Sequence, residues 1–276
     1  MAGTARAGVV VAAALLCCSC SGLLVPAVAE PQRRIAEHPL AIPEELTWRL
    51  NEDGSYSGDL YMGVTETGDG DPYWMQSRAF GASPDSFTVP GPTMVMKACE
   101  TYHLTLHNLL EDPSPRGEWD YFGWMNTTNI HLHGLHISGG KPGDEIFDTT
   151  VGPGQVYTYT YAIPCDHAGG LFWYHAHYHG SMAVQVGGGA AGMVKMEYND
   201  WEDIPDQIRS MPQIMMQFKE VDCLNTLRIA DMANDTVFKC TDPVSNRYLP
   251  YTAIRGSAWK YLVALQCSSQ GWHLRG

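Results

Sequence analysis

Two histidine-rich stretches, His131-Leu132-His133-Gly134 and His175-Ala176-His177-Tyr178-His179-Gly180, decide how the fold and chemistry of this 276-residue chain are interpreted. In a β-strand, alternate side chains point to the same face and lie roughly 6.5 Å apart, so each His-x-His pair presents two imidazoles side by side. That spacing suits two neighbouring ions, each taking one nitrogen at about 2.0 Å, better than one shared ion. If the two strands pair, the four rings form a rough grid that can hold adjacent metals.

The donor type narrows the choice of metal. Imidazole favours copper, zinc, iron or nickel, and neither stretch contains the carboxylates or thiolates typical of calcium, magnesium or iron–sulfur sites. Copper and zinc are therefore the favoured metals for this site. The predicted ligands are His131, His133, His175 and His177. His136 and His179 are weaker candidates for supporting positions near the ligands. The histidines interpreted as background are His103, His107, His167 and His273.

The sequence around these stretches has the pattern of an all-β domain. Short runs of β-forming residues alternate with Gly, Pro and Asp clusters at fairly regular spacing, which favours a Greek-key sandwich or barrel. The predicted strands are Thr101–Leu109, Asn129–Ile137, Gln155–Ile163, Leu171–His177 and Ala191–Tyr198. Glu44–Asn51 is either a strand or a helical turn, and Trp201–Met211 is a linker with a helical turn. Gly187–Gly192 lacks the βαβ context of a dinucleotide loop and is predicted to be a close-packed turn beside the metal site.

Five blocks of sequence resemble the first domain of the multicopper oxidases, a laccase-like family, and they occur in the family's order. The blocks are Pro90-Gly91-Pro92-Thr93, His103–Leu109, Asn129–His136, Gly152–Tyr159 and Gly170–His177, the last continuing to Gly192. The resemblance covers about residues 85–198. It implies a cupredoxin-like (plastocyanin-like) Greek-key fold, and the later segment Ile204–Phe218 resembles the first strand of the family's second domain.

The resemblance also implies a cofactor and an activity. In the family, the first and last domains each contribute four histidines to a trinuclear copper cluster. Carried over, His131 binds the type 2 copper, while His133, His175 and His177 bind the paired type 3 coppers. Oxygen is reduced to water at this cluster with electrons from a separate type 1 copper, which oxidises the substrate. The resemblance thus implies a copper-dependent oxidoreductase that uses O2 and an unidentified reducing substrate.

The chain departs from the family pattern at the type 1 copper. That site needs a cysteine thiolate with two histidines, and the family places the cysteine between two histidines of its final domain. Here the middle position of the second motif is Ala176, and neither Cys165 nor Cys267 has suitably spaced partners. The second set of four histidines is also missing, because only His273 follows His179. The sequence therefore predicts half of the oxygen-reducing centre, completed by a second chain or by a further C-terminal domain.

We expect three regions in the chain: a signal peptide at residues 1–29, an N-terminal cupredoxin-like domain at 30–200, and an incomplete second cupredoxin-like domain with a divergent C-terminus at 201–276. Arg6, the apolar run Val9–Cys18 and the small residues Ala27-Val28-Ala29 have the organisation of a cleaved leader. The expected location is extracellular. The alternative is a membrane protein held by an uncleaved leader.

Cysteine content agrees with secretion, because an oxidising compartment allows disulfides. Five of the eight cysteines lie after the leader, so at least one is a free thiol or pairs with another chain. The favoured bridge joins Cys223 and Cys240. Two sequons, Asn126-Thr127-Thr128 and Asn234-Asp235-Thr236, are acceptors for N-glycosylation in a eukaryotic host.

The charge of the chain excludes one class of partner and suggests one role. The formal net charge is −13 without a Lys/Arg cluster, so nucleic acid is not an expected partner. Oxygen reduction to water consumes protons, and Asp144, Glu145 and Asp148 closely follow the first histidine motif. Asp144 and Asp148 are therefore candidates for a proton relay. The alternative is a solvated acidic loop.

Two other functions remain open from the residues alone. The first is a secreted copper-binding or copper-buffering protein that uses the half-site without turnover. The second is a mononuclear zinc or iron enzyme in which His-x-His and a third histidine leave an open coordination position. The ratio of metal to protein and the uptake of oxygen distinguish these functions.

Overall fold

Strands dominate the described part of the chain. The structure is a computed structural model that describes residues 43–68, 74–112, 123–211, 214–240 and 260–267, all within the unit Pro39–Gly276. In chain order the strands are β1 Arg49–Leu50, β2 Tyr56–Thr67, β3 Met75–Ser83, β4 Ser86–Thr88, β5 Gly91–Met96, β6 Thr101–Asn108, β7 His131–His133, β8 Val156–Ala162, β9 Gly170–His175, β10 Ala191–Met196, β11 Ile214–Val221, β12 Lys239–Cys240 and β13 Lys260–Cys267. The helices are α1 Met182–Gly187, α2 Asp206–Arg209 and α3 Cys223–Met232.

The strands form two main sheets and one ribbon. The larger sheet has the order β12-β3-β2-β6-β8, with β1 added to β2 and β4 to β3. The smaller sheet has the order β5-β10-β9-β7, and β11 pairs with β13 in a separate ribbon. Within the two main sheets β2–β6 and β5–β10 are parallel, and the other pairs are antiparallel. The fold is therefore an all-β, cupredoxin-like sandwich, which confirms the predicted class.

The core lies between the two main sheets because each sheet has one apolar face. Alternation is clearest in β6, where Tyr102, Leu104 and Leu106 are buried and the intervening residues are half-buried. Met94 and Tyr174 belong to the opposite sheet and to the same buried cluster. Full burial of side chains of this size stabilises the fold by about 1.5–3 kcal/mol each, and this packing fixes the strands that carry the histidines.

Four predicted strands are confirmed within two residues at their ends, namely those that became β6, β8, β9 and β10. The fifth, predicted as Asn129–Ile137, is only the three-residue β7, because Gly134 takes a φ of 91° and turns the chain out of the sheet. Glu44–Asn51 contains β1, and the helical turn in Trp201–Met211 is α2. The glycine run includes the end of α1, a short helix that the sequence pattern did not indicate.

Residues 223–240 pack against the larger sheet. Strand β12 extends that sheet beside β3, and the predicted Cys223–Cys240 disulfide joins α3 to β12. Arg78 of β3 forms a buried ion pair with Asp235 at 2.7 Å. The boundary near residue 200 stays a prediction; beyond it, β12 pairs with β3 and α3 contacts α1.

A second disulfide, Cys99–Cys165, was not predicted from the sequence. It connects the turn before β6 to the loop after β8. None of the helices in the described ranges is long and apolar enough to cross a membrane. The predicted leader and His273 lie outside the described residues.

Candidate metal centre

Antiparallel pairing of β7 with β9 brings the two histidine motifs together. His131 lies directly opposite His175, and His133 lies opposite Trp173. His177 follows β9 by two residues. Because the inner faces of these strands pack on the core, the register between them is fixed, and a slip of one residue would turn the rings away from one another.

The four imidazoles form one cluster. The ring centroid of His131 is 5.3 Å from that of His133, 5.3 Å from that of His175 and 5.2 Å from that of His177. The centroid of His175 is 5.6 Å from that of His133 and 5.5 Å from that of His177. Ring nitrogens of His131, His133 and His175 lie within 4.8 Å of one another, whereas His177 stands beside this triad. The rings thus have the grid arrangement that the sequence suggested.

Asp144 fixes the orientation of His131. Its Oδ2 lies 2.6 Å from Nδ1 of His131, and its Oδ1 accepts the backbone N–H of Leu132 at 2.9 Å. An ionised carboxylate only accepts, so Nδ1 of His131 carries the proton and Nε2 carries the lone pair. Such a carboxylate partner is typical of histidines that bind metals. Asp144 is buried, so this contact is shielded from solvent.

A hydrogen bond also sets the tautomer of His175. Nδ1 of His175 donates to the carbonyl of Ala176 at 2.9 Å, which leaves the lone pair on Nε2. That Nε2 lies 3.3 Å from Nδ1 of His133, so these two nitrogens face each other as two ligands of one centre would. His131 and His175 therefore direct Nε2 into the site, whereas the nitrogen that His133 directs at His175 is Nδ1.

Trp173 stacks on two members of the triad. The centroid of its aromatic ring lies 4.9 Å from that of His133, with 24° between the planes, and 4.2 Å from that of His175, with 27° between the planes. This stack restrains His133, which is otherwise exposed. Trp173 was not singled out from the sequence, although its place opposite the first motif follows once the register is known.

Burial favours the neutral forms of His175 and His177. The pKa of His175 is lowered to about 4, chiefly by burial and further by the neighbouring rings of His131, His177 and His133. The hydrogen bond from His175 to Ala176 acts in the opposite direction. Burial and His131 also lower the pKa of His177. A neutral imidazole has a free lone pair, so these two histidines are ready to bind a cation at pH values where an ordinary histidine is partly protonated.

Asn129 links three segments around the site. Its Oδ1 accepts the backbone N–H of His177 at 2.9 Å. Its Nδ2 donates to the carbonyls of Ile146 and Thr149, both at 3.1 Å. One fully buried amide therefore holds the loop that carries Asp144 against the end of β9. Asn129 lies two positions before His131, and its supporting role was not predicted from the sequence.

The acidic loop divides into two parts. Asp144 contacts His131, as described above. Asp148 is exposed, and its backbone N–H donates to the carboxylate of Glu145. That hydrogen bond, with those from Thr149 and Phe147, lowers the pKa of Glu145 to about 2, although burial opposes it. Glu145 therefore closes the turn as an anion. The relay role of Asp144 and Asp148 stays a prediction.

The remaining histidines lie outside the four-ring cluster. His136 is exposed, and its backbone N–H donates to Nε2 of the buried His167 at 3.1 Å. His107 pairs with Asp59 at 2.8 Å on the outer face of β6. His103 lies 3.0 Å from the hydroxyl of Thr160, and His179 is exposed.

The donor set fits a metal that prefers nitrogen. Among the described residues, His131, His133 and His175 are the one group whose ligand atoms converge closely enough to hold an ion. Three converging imidazoles suit copper or zinc and do not suit calcium or magnesium. Cys165 is bonded to Cys99, and the other cysteines whose side chains are described also form a disulfide, so none of them offers a thiolate for a type 1 copper.

A cupredoxin-like sandwich with clustered imidazoles on two adjacent strands defines a class of β-sandwich metal-binding domains. Within this class, residues 123–200 match the family model described as multicopper oxidase, and this segment contains both histidine motifs. This segment is therefore similar to the multicopper oxidases, for which copper is the implied cofactor.

Similar proteins agree with the family model. Laccase-2 of Thanatephorus cucumeris is 28% identical over 125 residues, which cover 43% of this chain and 18% of the relative. Laccase-4 of the same organism is 34% identical over 115 residues, covering 38% of this chain and 20% of the relative. The chain thus spans about a fifth of the length of these relatives. A crystal structure of a multi-copper oxidase from Pediococcus acidilactici aligns with a TM-score of 0.47 and 23% identity, covering 64% of this chain and 32% of that one.

Proposed function

We propose that this chain is the copper-binding domain of a secreted multicopper oxidase and that it contributes half of a trinuclear copper cluster. One observation carries the proposal: four imidazoles from two paired strands meet with ring centroids 5.2 to 5.6 Å apart. Spacing of this kind supports several adjacent ions rather than one ion bound by every ring.

The ligands divide according to the family resemblance. His131 would hold the type 2 copper, and His133, His175 and His177 would hold the type 3 pair. When bound, the copper ions supply the one-electron redox chemistry that links oxidation of a reducing substrate to reduction of O2 to water. The protein orients the ligands: Asp144 holds the proton on Nδ1 of His131, and Ala176 holds that of His175.

The proposal assigns the acidic loop a part in delivering protons. The carboxylate of Asp144 contacts His131, which is itself partly exposed. Asp148 stands exposed in the same loop and would exchange protons with solvent. The remaining histidines and the copper that accepts electrons from the substrate would come from a further domain or a second chain.

Secretion is part of the proposal. Two disulfides, Cys99–Cys165 and Cys223–Cys240, support an oxidising compartment, because such bonds are rare in proteins kept in a reducing cytosol. The leader-like residues at the amino terminus point to the same route. Fusing the first 40 residues to a reporter enzyme and measuring the reporter in the culture medium tests this part.

The decisive experiment measures copper in the full chain. Purified protein is equilibrated with copper, freed of loosely bound ions and analysed for metal content. We expect the chain to retain copper and a strong loss of that copper in His133→Ala. The matched control is His136→Ala, because His136 is also exposed but lies outside the cluster. Equal copper in the wild type and in His133→Ala would overturn the proposal.

Metal content also separates the alternatives. Copper bound without oxygen uptake, even after a complementary domain is supplied, would favour a copper-buffering protein. The four described cysteines are consistent with this function, because they form disulfides and offer no thiolate for a type 1 copper. One zinc or iron ion per chain would favour a mononuclear enzyme. Oxygen consumption that requires both copper and a reducing substrate supports the oxidase.

A further inference from the structure

The two sequons of this chain occupy opposite environments. Asn126 and Asn234 both head an Asn-x-Thr sequence, so the sequence alone treats them equally. In the structure, Asn126 is only 3% exposed, whereas Asn234 and Thr236 are exposed. Burial therefore distinguishes two sites that the motif does not.

Both ends of the Asn126 amide are engaged. Its Nδ2 donates to the carbonyl of Glu111 at 2.8 Å. Its Oδ1 accepts from Nε of Arg78 at 2.9 Å and from Nη2 at 2.6 Å. Arg78 is itself only 1% exposed, so Asn126 and Asp235 together satisfy a buried charge. A sugar on Nδ2 would need space and a path to solvent that this packing does not leave, and it would disturb the acceptors of a buried cation.

Asn234 faces solvent at the end of α3. It follows Ala233, the C-cap of that helix, and has a φ of 52°, a left-handed conformation that asparagine accepts at helix ends. The next residue, Asp235, points inward: its carboxylate binds Arg78 and accepts the backbone N–H groups of Val237 and Phe238. The middle of the sequon is thus anchored while its first and third residues face solvent.

We propose that Asn234 is the N-glycosylated residue of this chain and that the folded, secreted protein carries no glycan at Asn126. The donor is an oligosaccharide linked to a lipid diphosphate. Nδ2 of Asn234 bonds to the anomeric carbon of the sugar, the bond from that carbon to the diphosphate oxygen breaks, and Nδ2 loses one proton as the lipid diphosphate leaves. The reaction is redox-neutral.

The inference rests on the secretory route contained in the proposed function, but it does not depend on copper. A test therefore secretes the full chain from a eukaryotic host behind a strong leader supplied by the host. The secreted protein is digested with a peptide N-glycosidase in heavy-oxygen water, which converts each glycosylated asparagine to a labelled aspartate, and the peptides are read by mass spectrometry. If the protein stays in the cell, its endoplasmic-reticulum fraction is read in the same way.

Two substitutions at Thr236 make the test specific. Thr236→Ala removes the sequon without touching the left-handed turn at Asn234, and Thr236→Ser retains the sequon as a matched control. We expect the label at position 234 in the wild type and in Thr236→Ser, its loss in Thr236→Ala, and the same unfolding temperature for the deglycosylated forms of all three. An unlabelled Asn234 in the wild type, or a labelled Asn126 in the secreted protein, would overturn the inference. Copper content measured on the same samples reports separately on the proposed function.

Discussion

At the scale of single residues, the metal centre depends on side chains that hold the ligands as much as on the ligands. Two triad histidines each have the lone pair directed by one partner: His131 by the carboxylate of Asp144 and His175 by the carbonyl of Ala176. The carboxylate of Asp144 is the one partner among these that substitution can remove cleanly. Its effect on copper is therefore a direct test of orientation.

We predict that Asp144→Ala weakens copper binding by about 10–100-fold, because a metal-binding histidine that loses its carboxylate partner becomes less basic and less well oriented. Competition with a chromogenic chelator measures this affinity. Asp148→Ala is the control, since Asp148 is exposed in the same loop and contacts Glu145 through its backbone N–H. Equal affinities for the two variants would contradict the role given to Asp144.

Trp173 supports a second prediction at the same scale. Trp173→Phe keeps an aromatic face between His133 and His175, whereas Trp173→Leu removes it. We expect Trp173→Leu to bind copper about 10-fold or more weakly and Trp173→Phe to lie between it and the wild type. Trp201→Leu is a suitable control because Trp201 is 59% exposed. Unchanged binding in Trp173→Leu would mean that the stack does not restrain the rings.

The pKa of His175 gives a prediction about acid stability without metal. Its folded-state pKa is lowered to about 4 from 6.5, chiefly by burial, so the unfolded chain binds more protons between these pH values. The associated stability is present above about pH 6.5 and is lost as the pH falls toward 4. We expect a loss of roughly 1–3 kcal/mol after allowance for solvent screening. Urea unfolding at pH 7 and pH 4.5 measures it, and a pH dependence equally steep in His175→Leu would contradict this assignment.

At the scale of elements, pairing of β7 with β9 explains why the site was readable from the sequence. His-x-His in an extended segment has only one arrangement of side chains, so two such motifs predicted a grid once pairing was assumed. The strands β6, β8, β9 and β10 were also predictable, because they alternate and end at glycine, proline or acidic turns. The short length of β7 was not, since it depends on the conformation of Gly134.

Other elements lay beyond sequence reasoning because their partners are far away along the chain. The Arg78 guanidinium donates hydrogen bonds to Asp235, which lies 157 positions later in the chain, and no local sequence pattern in either segment predicts this pair. The helix α1 is only six residues long, too short for its pattern to set it apart from a loop. The helix α3 has caps that the sequence analysis did not use, since Asp222 accepts from the backbone N–H of Asn225 and Asn234 follows the C-cap with a positive φ. The same distance explains why Cys99–Cys165 was missed, since disulfide connectivity cannot be derived from spacing alone.

The segment 223–240 yields a prediction at this scale. Arg78→Met leaves the buried Asp235 without its cation, so we expect a loss of about 3–5 kcal/mol in the free energy of unfolding. Arg49→Met is the matched control, because Arg49 pairs with Asp59 at 2.7 Å but its side chain is 61% exposed; there we expect less than about 1 kcal/mol. Denaturant unfolding compares the two variants. Similar losses would mean that the buried pair does not fix this segment.

At the scale of the whole molecule, the sandwich presents one cluster of histidines, which we propose to be one half of a copper site. The described cysteine side chains are in disulfides, and the described histidines outside the cluster have other partners or are exposed. The histidines of this half could be predicted from the sequence because they lie close together in two short motifs. The complementary domain or chain could not be identified, because its ligands are not among the described residues.

The most direct measurement of the central claim is anomalous X-ray diffraction at the copper absorption edge from crystals of the copper-loaded chain. We predict anomalous peaks bound to ring nitrogens of His131, His133 and His175, with His177 contributing to the same cluster. The peak bound to His133 should vanish in His133→Ala crystals, and all of the peaks should remain in His136→Ala crystals. Copper density elsewhere in the chain, or a cluster of four histidines that takes up no copper at full loading, would contradict the account.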